Sequence, residues 1–114
     1  MKLEFKKQRR TLIVNVKGEL DHHNSQKFKD EIEDQFTKRA VRNIILDLKN
    51  LNFMDSSGVG VILGRYRKVK ELDGEVAVIN INKQVKRVFE VSGLSKIIKI
   101  YQNELDALNS LEGV

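Results

Sequence analysis

The densest chemistry in the chain is Asp55-Ser56-Ser57, a carboxylate and two hydroxyls directly ahead of glycines at 58, 60 and 64. A serine hydroxyl becomes a nucleophile when a neighbouring base activates it. It is a phosphoryl acceptor when a kinase supplies that base. The only histidines, His22 and His23, follow Asp21 and are adjacent in sequence. Neighbouring residues do not converge on one site and no third ligand is evident, so Asp21-His22-His23 reads as a turn or helix start, not a metal centre. No serine–histidine–acid arrangement is persuasive. The chain has no cysteine, which excludes thiolate catalysis, disulfides and cysteine-based zinc sites.

Gly58-x-Gly60-x-x-x-Gly64 resembles a dinucleotide fingerprint, but its third glycine comes one residue late. The glycines also fall inside a predicted helix instead of a loop before it. No cofactor is therefore expected. A small nucleotide-binding or hydrolytic domain built on this helix is the alternative reading.

The elements that must position these residues follow from periodicity. Residues 3–7 and 11–17 read as a strand pair around a polar turn, with Leu12, Val14 and Val16 alternating. "QKFKDEIEDQF" sets Phe28, Ile32 and Phe36 along one helical stripe. "NIILDL" (43–48) is apolar on both faces, as in a covered central strand. The glycine-bearing helix then runs to about Leu72. Residues 75–81 form a buried strand, followed by a helix with Val85, Val88 and Phe89 inward and a stop at Gly93. A strand over 96–101 and a last helix with Leu105, Leu108 and Leu111 inward complete the order β-β-α-β-α-β-α-β-α. That alternation predicts one α/β domain over 1–114: a mixed, mostly parallel sheet with an N-terminal hairpin and about four helices.

At about 100° per residue, Val59, Ile62, Leu63, Tyr66 and Val69 share the packed face of the glycine helix. Ser57 projects to the opposite side, broadly with Gly60, Val61, Gly64 and Lys68. Asp55 or Ser56 is expected to cap the helix. Ser57 is left in the first turn, pointing to water, where the helix dipole favours an added phosphate. The small outward residues let another backbone approach. The competing explanation is that the glycines relieve crowding within the domain.

The net charge of +5, from 21 Lys+Arg against 16 Asp+Glu, is spread along the chain. It reads as a solvated basic face and not a nucleic-acid footprint, and an acidic protein partner suits it. The N-terminal residues lack the apolar core of a signal peptide, and no apolar run reaches the roughly 20 residues of a membrane span. A cytoplasmic protein with no membrane association is expected.

"GELDHH" (18–23), "FMDSSGVGVILGRY" (53–66) and "VKRVFEVSGLSKII" (85–98) together resemble the sporulation-type anti-sigma-factor antagonists, the SpoIIAA family of STAS domains. The similarity spans nearly the whole chain, with the motifs in the family's order. It implies that the chain is not an enzyme but a binding module, a monomer when free. Its unmodified form would bind an anti-sigma factor that is also a serine kinase, releasing a sigma factor. That kinase would phosphorylate Ser57, ending the interaction, and a serine phosphatase would restore it. The implied contact surface comprises Asp21, His22, Asp55, Ser56, Ser57, Gly58, Gly60, Val61 and Gly64.

Overall fold

The computed structural model describes residues 1–113. The elements run β1 (Lys2–Gln8), β2 (Thr11–Leu20), α1 (Ser25–Lys38), β3 (Asn43–Asp47), β4 (Leu51–Met54), α2 (Ser56–Glu71), β5 (Val76–Ile79), α3 (Lys83–Ser92), a 3-10 turn (Leu94–Lys96), β6 (Lys99–Tyr101) and α4 (Glu104–Glu112). The sheet order is β1-β2-β3-β5-β6, with β4 pairing β2. Only β1 is antiparallel to its neighbour; β3 and β4 run parallel to β2, β5 to β3, and β6 to β5. The predicted mixed, mostly parallel sheet with an N-terminal hairpin is thus the fold observed.

Strand alternation sorts the side chains into two cores. Leu12, Val14 and Val16 of β2, Ile44 and Leu46 of β3, and Val76 and Val78 of β5 face one side. There they meet Phe28 and Ile32 of α1, Ile62 and Val69 of α2, and Val85 and Phe89 of α3. Ile13, Ile45, Ala77 and Ile79 face the other side and pack on Ala107 of α4. The sheet is therefore covered on both faces, which explains why β3 and β5 read as unbroken apolar runs.

Two expectations need correction. The predicted order lacks one strand: Leu51–Met54 forms β4 against the end of β2, where the register shifts between Gly18 and Glu19. In α4 the inward residue is Ala107, while Leu105 is 66% exposed. Leu108 and Leu111 pack at the margin of the smaller core.

Candidate interaction site at the carboxyl end of the sheet

Leu20 and Met54, the last residues of β2 and β4, are register partners in a parallel pair. The next residue of each strand is an aspartate, so Asp21 and Asp55 leave the sheet side by side at its carboxyl end. Open α/β sheets place their ligand-contacting loops at this end. The backbone ties the two exits together, since the Asp55 amide donates to the Leu20 carbonyl at 3.4 Å.

Each aspartate organises its own loop through one oxygen. Asp55 caps α2: its Oδ1 accepts from the amides of Ser57 at 2.9 Å and Gly58 at 3.2 Å. Of the two candidate caps, Asp55 holds the position. Asp21 Oδ1 accepts from the amide of Asn24 at 3.1 Å and from its Nδ2 at 3.0 Å, while the Asp21 carbonyl accepts from the Ser25 hydroxyl at 2.6 Å. This is the expected turn and helix start. Among the described residues, Oδ2 of both carboxylates is free of protein hydrogen bonds. His22 and His23 are exposed, their rings edge to face with centroids 5.8 Å apart. No cluster of three or more acidic, histidine or cysteine side chains able to hold a metal occurs among the described residues.

The packed stripe of α2 differs from the one its hydrophobic residues suggest. Its buried members are Gly58, Ile62, Arg65 and Val69. Val59, Leu63 and Tyr66 are only half-buried, and so is Val61, which packs against the core instead of facing freely outward. This rotation changes the serine pair. Ser56 is exposed, and Ser57 is half-buried beside the packed stripe. The placement of Ser57 as the fully outward hydroxyl is therefore corrected. Among the described residues neither hydroxyl is hydrogen-bonded to a base, so each can serve as an acceptor for an outside enzyme without being activated from within.

The glycines divide in function. Gly58 is buried, and a β-carbon there would stand 2.5 Å from the Leu20 carbonyl oxygen. Gly58 thus leaves the expected contact surface and serves packing between α2 and the end of β2. Gly60 and Gly64 have nothing within 4 Å of such a carbon. Gly60 is exposed and Gly64 half-buried, leaving a stretch of α2 backbone open to another molecule. All three lie inside α2, so no glycine loop exists to cradle a pyrophosphate, and the nucleotide-binding alternative loses its basis.

Sequence reasoning missed two features. Arg65 is buried at the α1–α2 contact, where its Nη1 pairs with Glu33 at 3.0 Å and its Nε has no partner. The second is an apolar groove of about 440 Å³ between the start of α2 and α3, lined by Asp55, Ser56, Val59, Arg87, Val88 and Val91, among others. Val91 is 79% exposed there. The exposed serine thus stands on the rim of an apolar surface large enough to receive a partner's side chains. No helix among the described residues is long and apolar enough to cross a membrane.

Comparison with known proteins places this geometry in context. Residues 2–107 match the STAS domain model. An anti-sigma F factor antagonist of Paenibacillus polymyxa is 46% identical over 114 residues, covering 100% of this chain and 97% of the relative. The anti-sigma factor antagonist SpoIIAA in its unphosphorylated form superposes with a TM-score of 0.75 at 28% identity, covering 99% of this chain and 100% of that one. The Bacillus cell fate determinant SpoIIAA in the phosphorylated form superposes with a TM-score of 0.73 at 32% identity, covering 96% and 98%.

Proposed function

Because this chain belongs to the STAS domain family, among the sporulation-type anti-sigma-factor antagonists, we propose that its unmodified form binds an anti-sigma factor and thereby releases a sporulation sigma factor. The anti-sigma factor is also the kinase that ends the interaction. The observation that carries this reading is the start of α2, where the Ser57 hydroxyl is free of hydrogen bonds among the described residues and stands ahead of the open backbone at Gly60 and Gly64. The chain acts in the cytoplasm as a binding module and a phosphoryl acceptor, and it performs no catalysis of its own.

The contact surface takes in Asp21 and His22 from one strand exit, and Asp55 and the serine pair from the other. It extends over Gly60 and Gly64 and into the groove beside Val59 and Val88. The acceptor is Ser57, the serine directly before Gly58; it is half-buried, and its hydroxyl makes no hydrogen bond among the described residues. In the transfer, the γ-phosphoryl group of ATP passes to the serine oxygen, the hydroxyl proton passes to a base on the kinase, and ADP leaves. A phosphatase hydrolyses the ester, returning the serine and inorganic phosphate.

The switch is local. A phosphate adds about −1.5 to −2 charges at pH 7. At the start of α2 it meets a favourable dipole worth roughly 0.3–1 kcal/mol, partly offset by Asp55 and Asp21. The free domain has no strong electrostatic reason to rearrange. At the interface, the partner must bury a dianion or leave a gap, and a cost of about 3 kcal/mol there lowers affinity about a hundredfold. SpoIIAA has been solved in both phosphorylation states, and each superposes on this chain about equally well, which supports a fold that persists through modification.

Incubation with an anti-sigma kinase and ATP, followed by mass-spectrometric mapping, tests the assignment. One phosphate on Ser57 is expected, lost in Ser57→Ala. Modification of Ser56 instead would overturn this assignment. Modification of neither serine would remove the switch.

A further inference from the structure

We propose that the amino end of the sheet carries a second interaction surface, a cluster of uncompensated cations that takes an acidic segment of another protein. The cations are Lys7, Arg9 and Arg10 around the β1–β2 turn, and Arg39 and Arg42 in the connection from α1 to β3. Lys7 and Arg39 are 32 positions apart in sequence, yet the Lys7 Nζ donates to the Arg39 carbonyl at 2.9 Å. The Arg42 amide likewise donates to the Arg10 carbonyl at 2.7 Å. None of these cations forms an ion pair among the described residues. Setting them aside leaves 16 of the 21 Lys and Arg against 16 Asp and Glu, so the positive charge that the sequence scatters is gathered at this end by the fold. The surface is remote from Ser57. Strand β2, ten residues long, begins at Thr11 beside the cluster and ends at Leu20 beside Asp55. Its rise sets the two ends about 30 Å apart.

Local structure does not call for these charges. Arg9 holds φ at +55°, where glycine or asparagine is favoured, so the turn gains nothing from an arginine. Arg39 suits the end of α1, and its Nε donates to Gln35. Arg9, Arg10 and Arg42 are exposed and serve no such purpose. The chemistry of the surface selects carboxylates, and one is already seated there: Glu112 of α4 accepts from the Arg10 amide at 3.0 Å and from the Thr11 hydroxyl. Guanidinium forks can take further carboxylates bidentately. The exposed neighbours Gln8, Thr37 and Ala40 supply no aromatic ring to stack on a base and no large apolar side chain to enter a bilayer. A segment bearing several Asp or Glu fits these features, and it can be held while the Ser57 end engages the anti-sigma factor.

Fluorescence anisotropy of a labelled octaglutamate peptide, titrated with the full chain, gives the test. Saturable binding is expected, weakened about tenfold when Arg9→Gln, Arg10→Gln and Arg42→Gln are combined. Lys49→Gln, Lys83→Gln and Lys86→Gln, combined in a second variant, remove the same charge from exposed positions toward the other end of the sheet. They lie beyond the Debye length of about 10 Å at about 0.1 M salt, so affinity should stay within about twofold. Thermal unfolding checks that both variants fold, and Arg42→Gln alone, with a smaller loss expected, replaces the first variant should it unfold. No binding by the parent, or equal losses in the two variants, overturns the proposal. Tighter capture of duplex DNA or of phosphatidylglycerol vesicles than of the peptide overturns the assignment to an acidic protein. The variant lacking Arg9, Arg10 and Arg42 should bind an anti-sigma factor as the parent does. A loss there would make the basic end part of that interface and refute a second surface.

Discussion

The carbonyl oxygen of Leu20 lies where Gly58 can have no side chain: a β-carbon on Gly58 would stand 2.5 Å from it and 2.6 Å from Cγ of Met54. Gly58→Ala should therefore destabilise the domain. Alanine improves helix propensity by about 1 kcal/mol, but forcing a carbon into a packed strand end costs about 1–3 kcal/mol, and here the obstacle includes backbone. Urea denaturation should show a lowered midpoint. A midpoint equal to that of the parent would mean that α2 does not approach β2 this closely.

Gly60 and Gly64 should behave in the opposite way. Open space surrounds both, so Gly60→Ala or Gly64→Ala should raise stability by up to about 1 kcal/mol. Gly60→Leu and Gly64→Leu should fold yet lose affinity for the anti-sigma factor, because the partner's backbone needs the room. If both leucine variants unfold, the glycines serve internal packing and the contact surface lies elsewhere.

These contrasts show where sequence and structure part. Alternation in Leu12, Val14 and Val16 is a direct imprint of the pleat, and the strand pair they predict is present. The phase of α2 was harder to read, because two of its four buried positions are Gly58 and Arg65. One has no side chain and the other reads as solvent-facing, so the apolar neighbours Val59, Leu63 and Tyr66 pulled the apparent stripe around the helix. That shift leaves Ser57 half-buried instead of fully outward. Strand β4 escaped notice because it is four residues long and buries its two ends, Leu51 and Met54, around exposed Asn52 and Phe53. The α2–α3 groove joins residues some thirty positions apart. No local pattern encodes that contact.

Arg65 should prove replaceable in the fold. Its Nη1 pairs with Glu33, which is 44% exposed, and its buried Nε has no partner. Arg65→Met removes the orphaned donor, keeps much of the packing volume and leaves Glu33 able to hydrate. Thermal unfolding is expected to change by less than about 1 kcal/mol, or to rise, as in other replacements of buried ionic groups by apolar ones. A loss of several kcal/mol would show that the pair is a structural requirement.

The local character of the switch can be read from backbone chemical shifts of the free and phosphorylated chains. Changes should be confined to the start of α2, the Asp21–Asn24 turn and the facing part of α3. Widespread shifts through β3, β5 or α4 would indicate a rearranged fold.

The central claim is that the unmodified chain binds an anti-sigma factor and the phosphorylated chain does not. Titration calorimetry of both forms against an anti-sigma kinase tests it most directly. A saturable complex with the unmodified chain is expected, together with at least about a hundredfold weaker binding after phosphorylation, a difference of roughly 2.7 kcal/mol. Equal affinities for the two forms, or no complex with the unmodified chain, would contradict it.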